Sequence, residues 1–133
     1  EDILFLAKNT ILNGISLSSE AKFRRRFSKL WTSNEAGKLL AHKVCWMQSK
    51  GLIPNREAAA SKLIGSEIAQ KISRFGVKSA NLHGLLTPDD AWAPLNGRLA
   101  IDWMDTISFT IRSGTSEIQK NIIATRGLGL PRS

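Results

Sequence analysis

The part of this 133-residue chain best equipped for chemistry lies near its end: Ser113-Gly114-Thr115-Ser116-Glu117-Ile118-Gln119-Lys120-Asn121-Ile122-Ile123-Ala124-Thr125-Arg126-Gly127-Leu128-Gly129-Leu130-Pro131-Arg132. A glycine lets the backbone turn tightly, and a threonine then opens a helix whose first amides have no partner inside it. Beside a hydroxyl, such amides suit an anion, a phosphate or pyrophosphate above all. From the residues alone an ordinary helix cap is the commoner alternative, because most capped helices bind nothing.

Other reactive side chains are scattered. One cysteine and two histidines exclude a disulfide framework and a zinc ribbon or finger, so no metal site is expected. Cys45, between Val44 and Trp46, reads as a half-buried hydrophobe, with only His42 near enough in sequence to activate it. His42 and His83 are isolated and read as surface or internally satisfied residues. Asp102 and Asp105 are three apart, and Arg98 precedes Asp102 by four, which fits an ion-pair network better than a catalytic carboxylate pair.

Net charge is +8, and it is uneven. Residues 1–66 carry 11 Lys+Arg against 5 Asp+Glu, whereas residues 67–133 carry 8 against 6. Such an excess raises a polyanion as partner, with Arg24, Arg25 and Arg26 among Phe23, Phe27 and Trp31 as the candidate face. Three consecutive arginines splay around a helix, however, and the aromatic spacing is that of a core stripe. No nucleic acid is therefore expected. No stretch approaches the roughly 18 apolar residues of a membrane span, and the acidic start EDILFLAKNT is no signal peptide. The expectation is a cytoplasmic protein with no membrane partner.

The elements that must position these residues read as helices. Ile3, Leu4, Ala7 and Ile11 form a short stripe ending at the Asn13-Gly14 turn. Ser18 and Ser19 offer an N-cap with Glu20 in the first turn. Phe23, Phe27, Leu30, Trp31, Leu40, Val44 and Met47 then share an apolar face, with Asn34, Gly37 and Ala41 allowing close approach. Gly51 and Pro54 end that helix. The next is capped by Asn55 and runs through Ile64, Ile68, Ile72, Phe75, Ser79 and Leu82 to Gly84. Gly76 inside it costs about 1 kcal/mol relative to alanine, so packing must hold that turn. Thr87-Pro88-Asp89-Asp90 predicts a short helical turn ended by Pro94. Leu99, Trp103, Ile107 and Ile111 mark a further helix closed by Gly114. Thr115 caps the last, with Ile118, Ile122 and Thr125 on one side. Trp92 and Trp103 read as packing residues, Trp92 alternatively covering a ligand mouth. No sustained strand alternation is present, and short linkers predict an all-α, up-down helical bundle.

Residues 113–132 closely resemble the terminal signature of the acyl-CoA dehydrogenase family: a Gly-Thr-(Ser/Asn)-(Glu/Gln)-Ile-Gln-(Arg/Lys) run, an aliphatic helix and a Leu-Gly-Leu-Pro ending. A weaker likeness extends back to residue 20. The resemblance implies a single domain over residues 1–133, similar to the family's C-terminal four-helix bundle but incomplete, without the N-terminal helical and middle β domains. It further implies part of an FAD-dependent α,β-dehydrogenation of an acyl-CoA thioester, with cofactor contacts and subunit packing as this chain's share. Gly114, Thr115, Ser116 and Glu117 match the FAD-facing positions, and Arg126 matches a late arginine that could equally be a solvated charge.

Departures from the pattern set limits. Ser113 stands where many members carry the glutamate that abstracts the α-proton, and a hydroxyl without a base partner cannot do so. No catalytic residue is therefore expected. Relatives that place the base on the first bundle helix would carry it before residue 1 or nearly so. Glu117 is offset by four positions and does not substitute. A Gln-x-x-Gly-Gly run of the family falls near Lys78-Ser79-Ala80-Asn81-Leu82, where glutamine and glycines are absent; Lys78 either meets a phosphate or is solvated. The expected partners are acyl-CoA and other acyl-CoA dehydrogenase subunits, as a homo- or hetero-oligomer. FAD is expected in that assembly but not tightly on this chain alone, which should be inactive. Glu1 in place of methionine suggests a piece of something longer, with exposed apolar surface and self-association. The competing reading is a non-catalytic oligomerisation bundle.

Overall fold

The computed structural model describes residues 1–131; Arg132, the last residue of the signature, lies outside them. Five α-helices are present: α1 (Asp2–Asn9), α2 (Ala21–Ser49), α3 (Asn55–Ser79), α4 (Arg98–Phe109) and α5 (Ser116–Ile122). A two-stranded antiparallel ribbon, β1 (Ile11–Leu12) and β2 (Ile15–Ser16), pairs Ile11 with Ser16 and Leu12 with Ile15. The fold is all-α, as expected. The ribbon is the exception, because Asn13 and Gly14 both have positive φ and close a tight hairpin rather than a helix end.

The chain divides into two compact units. The first comprises Glu1–Trp31 and Ala69–Ile107. Ala7, Leu17, Phe23 and Phe75 are buried together, with Ile3, Phe27 and Leu30 packed against them. A second cluster joins Val77, Ala80 and Leu99 to Leu6, Leu95 and Trp103. The rings of Phe23 and Phe75 lie 5.2 Å apart, Phe23 and Phe27 5.8 Å apart. Burial of Leu17 explains why α2 starts later than Ser18-Ser19 suggests. Leu17–Ser19 form a 3-10 turn capped by the Ser16 hydroxyl, and Glu20, still extended, offers its carbonyl to the Arg24 amide. Gly76 is explained by packing, since a Cβ there would sit 3.0 Å from Leu99 Cδ2 and 3.3 Å from Ile3 Cδ1.

Four expectations fail in this unit. Helix α3 ends at Ser79 because Asn81 takes φ 52, so Leu82 leaves the apolar stripe and is exposed. Thr87-Pro88 starts no helix: Asp90 Oδ1 accepts the Trp92 amide at 2.8 Å, a local bond that competes with helical geometry. Trp92 is 78% exposed and lies outside the core, whereas Trp103 is half-buried. Trp31 is also exposed, although its ring meets Phe27 at 6.0 Å.

The second unit comprises Thr32–Ile68 and Ser108–Ser133. A Cβ on Gly37 would lie 3.6 Å from Ile68 and 3.7 Å from Ile64, the close approach read from sequence. Leu40, Val44 and Met47 are half-buried. The Lys62 ammonium donates to the Phe109 carbonyl, and Arg112 lies over the Phe109 ring at 4.4 Å. Since α4 stops at Phe109, Ile111 falls outside it and is exposed. Cys45 is exposed, not half-buried. After α5 the backbone widens into a π-helical turn, Ile123–Gly127. A Cβ on Gly127 would sit 2.7 Å from Arg56 Cγ and Cδ, so glycine admits the arginine stem.

Candidate functional site

The loop before α5 is built from two successive left-handed residues. Ser113 has φ 59, rare for a residue with a Cβ, and Gly114 has φ 94. Thr115 returns to extended backbone and its hydroxyl oxygen accepts the Ile118 amide at 3.4 Å, so the expected cap is present. The Thr115 carbonyl accepts the Gln119 amide at 2.9 Å, and the Ser116 amide donates to the Thr110 carbonyl at 3.3 Å. No acceptor among the described residues takes the amides of Gly114 and Thr115.

Glu117 is exposed, and its carboxyl is held below the ordinary carboxylate range. The chief cause is its own backbone N–H, followed by the Thr115 hydroxyl and the charge of Lys120, against some desolvation. It is therefore an ionised acceptor and a poor base. Ser113 is exposed, and among the described residues its hydroxyl has no base partner. The structure thus gathers Ser113, Gly114, Thr115, Ser116 and Glu117 into one turn. Arg126 is not among them: it is exposed on the π-helical turn, eleven residues beyond Thr115.

The residue that sequence reasoning missed is Gln119. It is 7% exposed, while the expected core residue Ile118 is 50% exposed. Its carboxamide nitrogen donates to the Ser113 carbonyl at 3.2 Å and the Gly114 carbonyl at 3.5 Å. A Cβ on Gly114 would lie 2.6 Å from that nitrogen, so Gly114 is required by contact as well as by φ. The available signal was a polar residue four positions after the cap, where the buried face of the helix falls.

In the first unit, a separate cleft of about 230 Å³ is lined by Lys22, Arg26 and Lys78 over Leu17, Phe23 and Phe75. Lys78 has no ion pair among the described residues. Asn81 is left-handed at φ 52, a conformation that asparagine tolerates better than most residues with a Cβ. Arg24, Arg25 and Arg26 are exposed, with Phe23 buried beneath them. Arg98 pairs with Asp2 at 2.6 Å and Asp102 at 3.5 Å, the ion-pair network read from sequence. Among the described residues no His/Cys/Asp/Glu group could hold a metal, and no helix is long and apolar enough to cross a membrane.

Comparison with known proteins gives a consistent match. Residues 1–128 match the family model described as acyl-CoA dehydrogenase, C-terminal domain. Acyl-CoA dehydrogenase FadE34 of Mycobacterium tuberculosis (strain ATCC 25618 / H37Rv) is 28% identical over 107 residues, 80% of this chain and 14% of that protein. Acyl-CoA dehydrogenase IpdE1 of the same strain is 29% identical over 112 residues, 82% of this chain and 27% of that protein. The crystal structure of the ChsE4-ChsE5 complex from Mycobacterium tuberculosis superposes with a TM-score of 0.90 at 27% identity, covering 99% of this chain and 34% of that one. The Tcur3481-Tcur3483 steroid ACAD gives 0.89 at 26% identity, covering 99% and 33%. The chain thus spans between 14% and 34% of the length of these proteins.

Proposed function

The chain belongs to the acyl-CoA dehydrogenase family, matching its C-terminal domain, and on that premise we propose that it serves an FAD-dependent acyl-CoA dehydrogenase as a helical cofactor-contacting and subunit-packing domain. FAD bound in that assembly would supply the hydride acceptor for α,β-dehydrogenation of an acyl-CoA thioester, and Gly114, Thr115, Ser116 and Glu117 are the residues of this chain that would face it. The loop 113–117 is the observation that carries this reading. It presents two unused amide donors, suited to the oxygen-rich face of a dinucleotide, beside a Thr115 hydroxyl whose own hydrogen is turned to Glu117. In this reading Gly114, Thr115 and Ser116 supply donors, Glu117, an ionised acceptor, faces hydroxyl or N–H donors of the cofactor, and Arg126 adds a point charge further along the chain.

Ser113 leaves the α-proton to a base elsewhere in the assembly, so this chain has no turnover of its own. Exposed Leu39, Trp46, Ile53, Leu82 and Trp92 support packing against further protein. The paired names of the two structural relatives support a hetero-oligomer in particular. The test is to coexpress the tagged chain with the acyl-CoA dehydrogenase subunits encoded beside it. Copurified protein is expected to show a flavin absorbance band that bleaches with an acyl-CoA. Copurification of a flavin-free partner would instead favour the oligomerisation bundle, and absence of both would end the reading.

A further inference from the structure

We propose that Gln119 is the positioning residue of the 113–117 loop. Its buried carboxamide holds two successive carbonyls inward and so presents the Gly114 and Thr115 amides outward as an adjacent donor pair. Peptide planarity dictates this orientation. All peptide bonds among the described residues are trans, so within each peptide unit the N–H points opposite to the C=O. The Ser113 carbonyl shares its plane with the Gly114 amide, and the Gly114 carbonyl shares its plane with the Thr115 amide. Gln119 Nε2 draws both carbonyls toward one buried point, at 3.2 and 3.5 Å. Both amides are thereby turned away from it, and neither finds an acceptor among the described residues.

Three further features fit this role. Two neighbouring residues at positive φ are costly unless something fixes them, and Ser113 pays the larger steric penalty. Only a side chain with two donor hydrogens on one nitrogen can satisfy two acceptors from one position. The same nitrogen lies where a Cβ of residue 114 would be, which couples glycine at 114 to glutamine at 119. The consequence rests on the flavin reading above: the outward amides donate to oxygen acceptors of the flavin dinucleotide.

Gln119→Met keeps length and volume but removes both donors. In the 133-residue chain, NMR is expected to show loss of the left-handed signature at Ser113, the strong intraresidue amide-to-α-proton contact. In the coexpressed assembly, flavin affinity is expected to fall about tenfold, the worth of one or two hydrogen bonds, with the melting temperature of the complex nearly unchanged. An unchanged Ser113 signature overturns the positioning role. A changed signature with unchanged flavin affinity overturns its link to the cofactor. An unsubstituted assembly that holds no flavin defeats the flavin reading and leaves the loop geometry to the NMR result. Should Gln119→Met fail to fold, the unsubstituted chain decides: the Gly114 and Thr115 amides must exchange with solvent much faster than those of Ser116 and Gln119, and equal protection overturns the proposal.

Discussion

The two compact units are held by different forces. The first buries Leu17, Phe23, Phe75, Val77 and Leu99 in apolar clusters, and its buried hydroxyls are paired within the core, as Ser73 with Thr106 at 2.8 Å. The second buries Ala59 and Ile68 beside Glu57, Ser66 and Gln119, and directional bonds carry much of its order. Arg56 binds Glu57 at 2.6 Å with Lys43 at 4.0 Å, Lys62 closes on the Phe109 carbonyl, and Gln119 holds the loop. The candidate site therefore lies in the unit with the thinner apolar core. Its shape is set by hydrogen bonds, which define a backbone more narrowly than apolar contact does but are lost one partner at a time.

Substitutions should separate the two regimes. The largest effect is expected for Phe75→Ala, which removes the ring meeting Phe23 and should cost about 3–5 kcal/mol in a urea melt. A loss below about 1 kcal/mol would mean that the first unit is not core-driven. Gly114→Ala should cost less, about 1–2 kcal/mol from the left-handed backbone alone, and should perturb amide shifts in residues 113–119 while leaving those around Phe23 in place. Shifts spread evenly over both units would erase the distinction.

Acid should act on the second unit. Glu35, Glu57 and Glu117 all lie there with their carboxyls held below the ordinary range, by hydrogen bonds from Lys38, from Arg56 and from the Glu117 backbone amide respectively. A depressed folded pKa contributes stability that is fully present above the unfolded value, about 4.3, and is lost as pH falls through the lower folded value. Hydrogen exchange followed by peptide should therefore show residues 32–68 and 108–131 losing protection below about pH 4 before the first unit does. Opening in the reverse order would contradict this. The smallest effect is expected for Arg98→Ala, whose exposed pairs with Asp2 and Asp102 should be worth about 0–1 kcal/mol and vanish in high salt.

The same contrast governs what could be read from the residues. Periodicity located the inner face of α2, where Phe23, Phe27, Leu30, Leu40, Val44 and Met47 are buried or half-buried, and packing at Gly37 and Gly76 was legible from their place within helices. Helix ends were less so. Leu82 and Ile111 belong to the periodic pattern, but α3 and α4 stop before them, with Asn81 left-handed and Lys62 taking the Phe109 carbonyl. The ribbon at residues 11–16 is too short to show alternation. At the candidate site the Thr115 cap follows from local chemistry. Gln119 did not, because a carboxamide is buried there only once Ser113 and Gly114 have turned their carbonyls toward it.

The central claim is that the loop before α5 helps hold a flavin in an assembled dehydrogenase. Its most direct test is the flavin-to-protein ratio of the coexpressed complex with and without Gly114→Val, which places a branched side chain against Gln119 at a left-handed position. The expected result is a flavin-loaded complex that loses most of its flavin on substitution while its subunits still copurify. Equal flavin content in the two complexes would contradict the account.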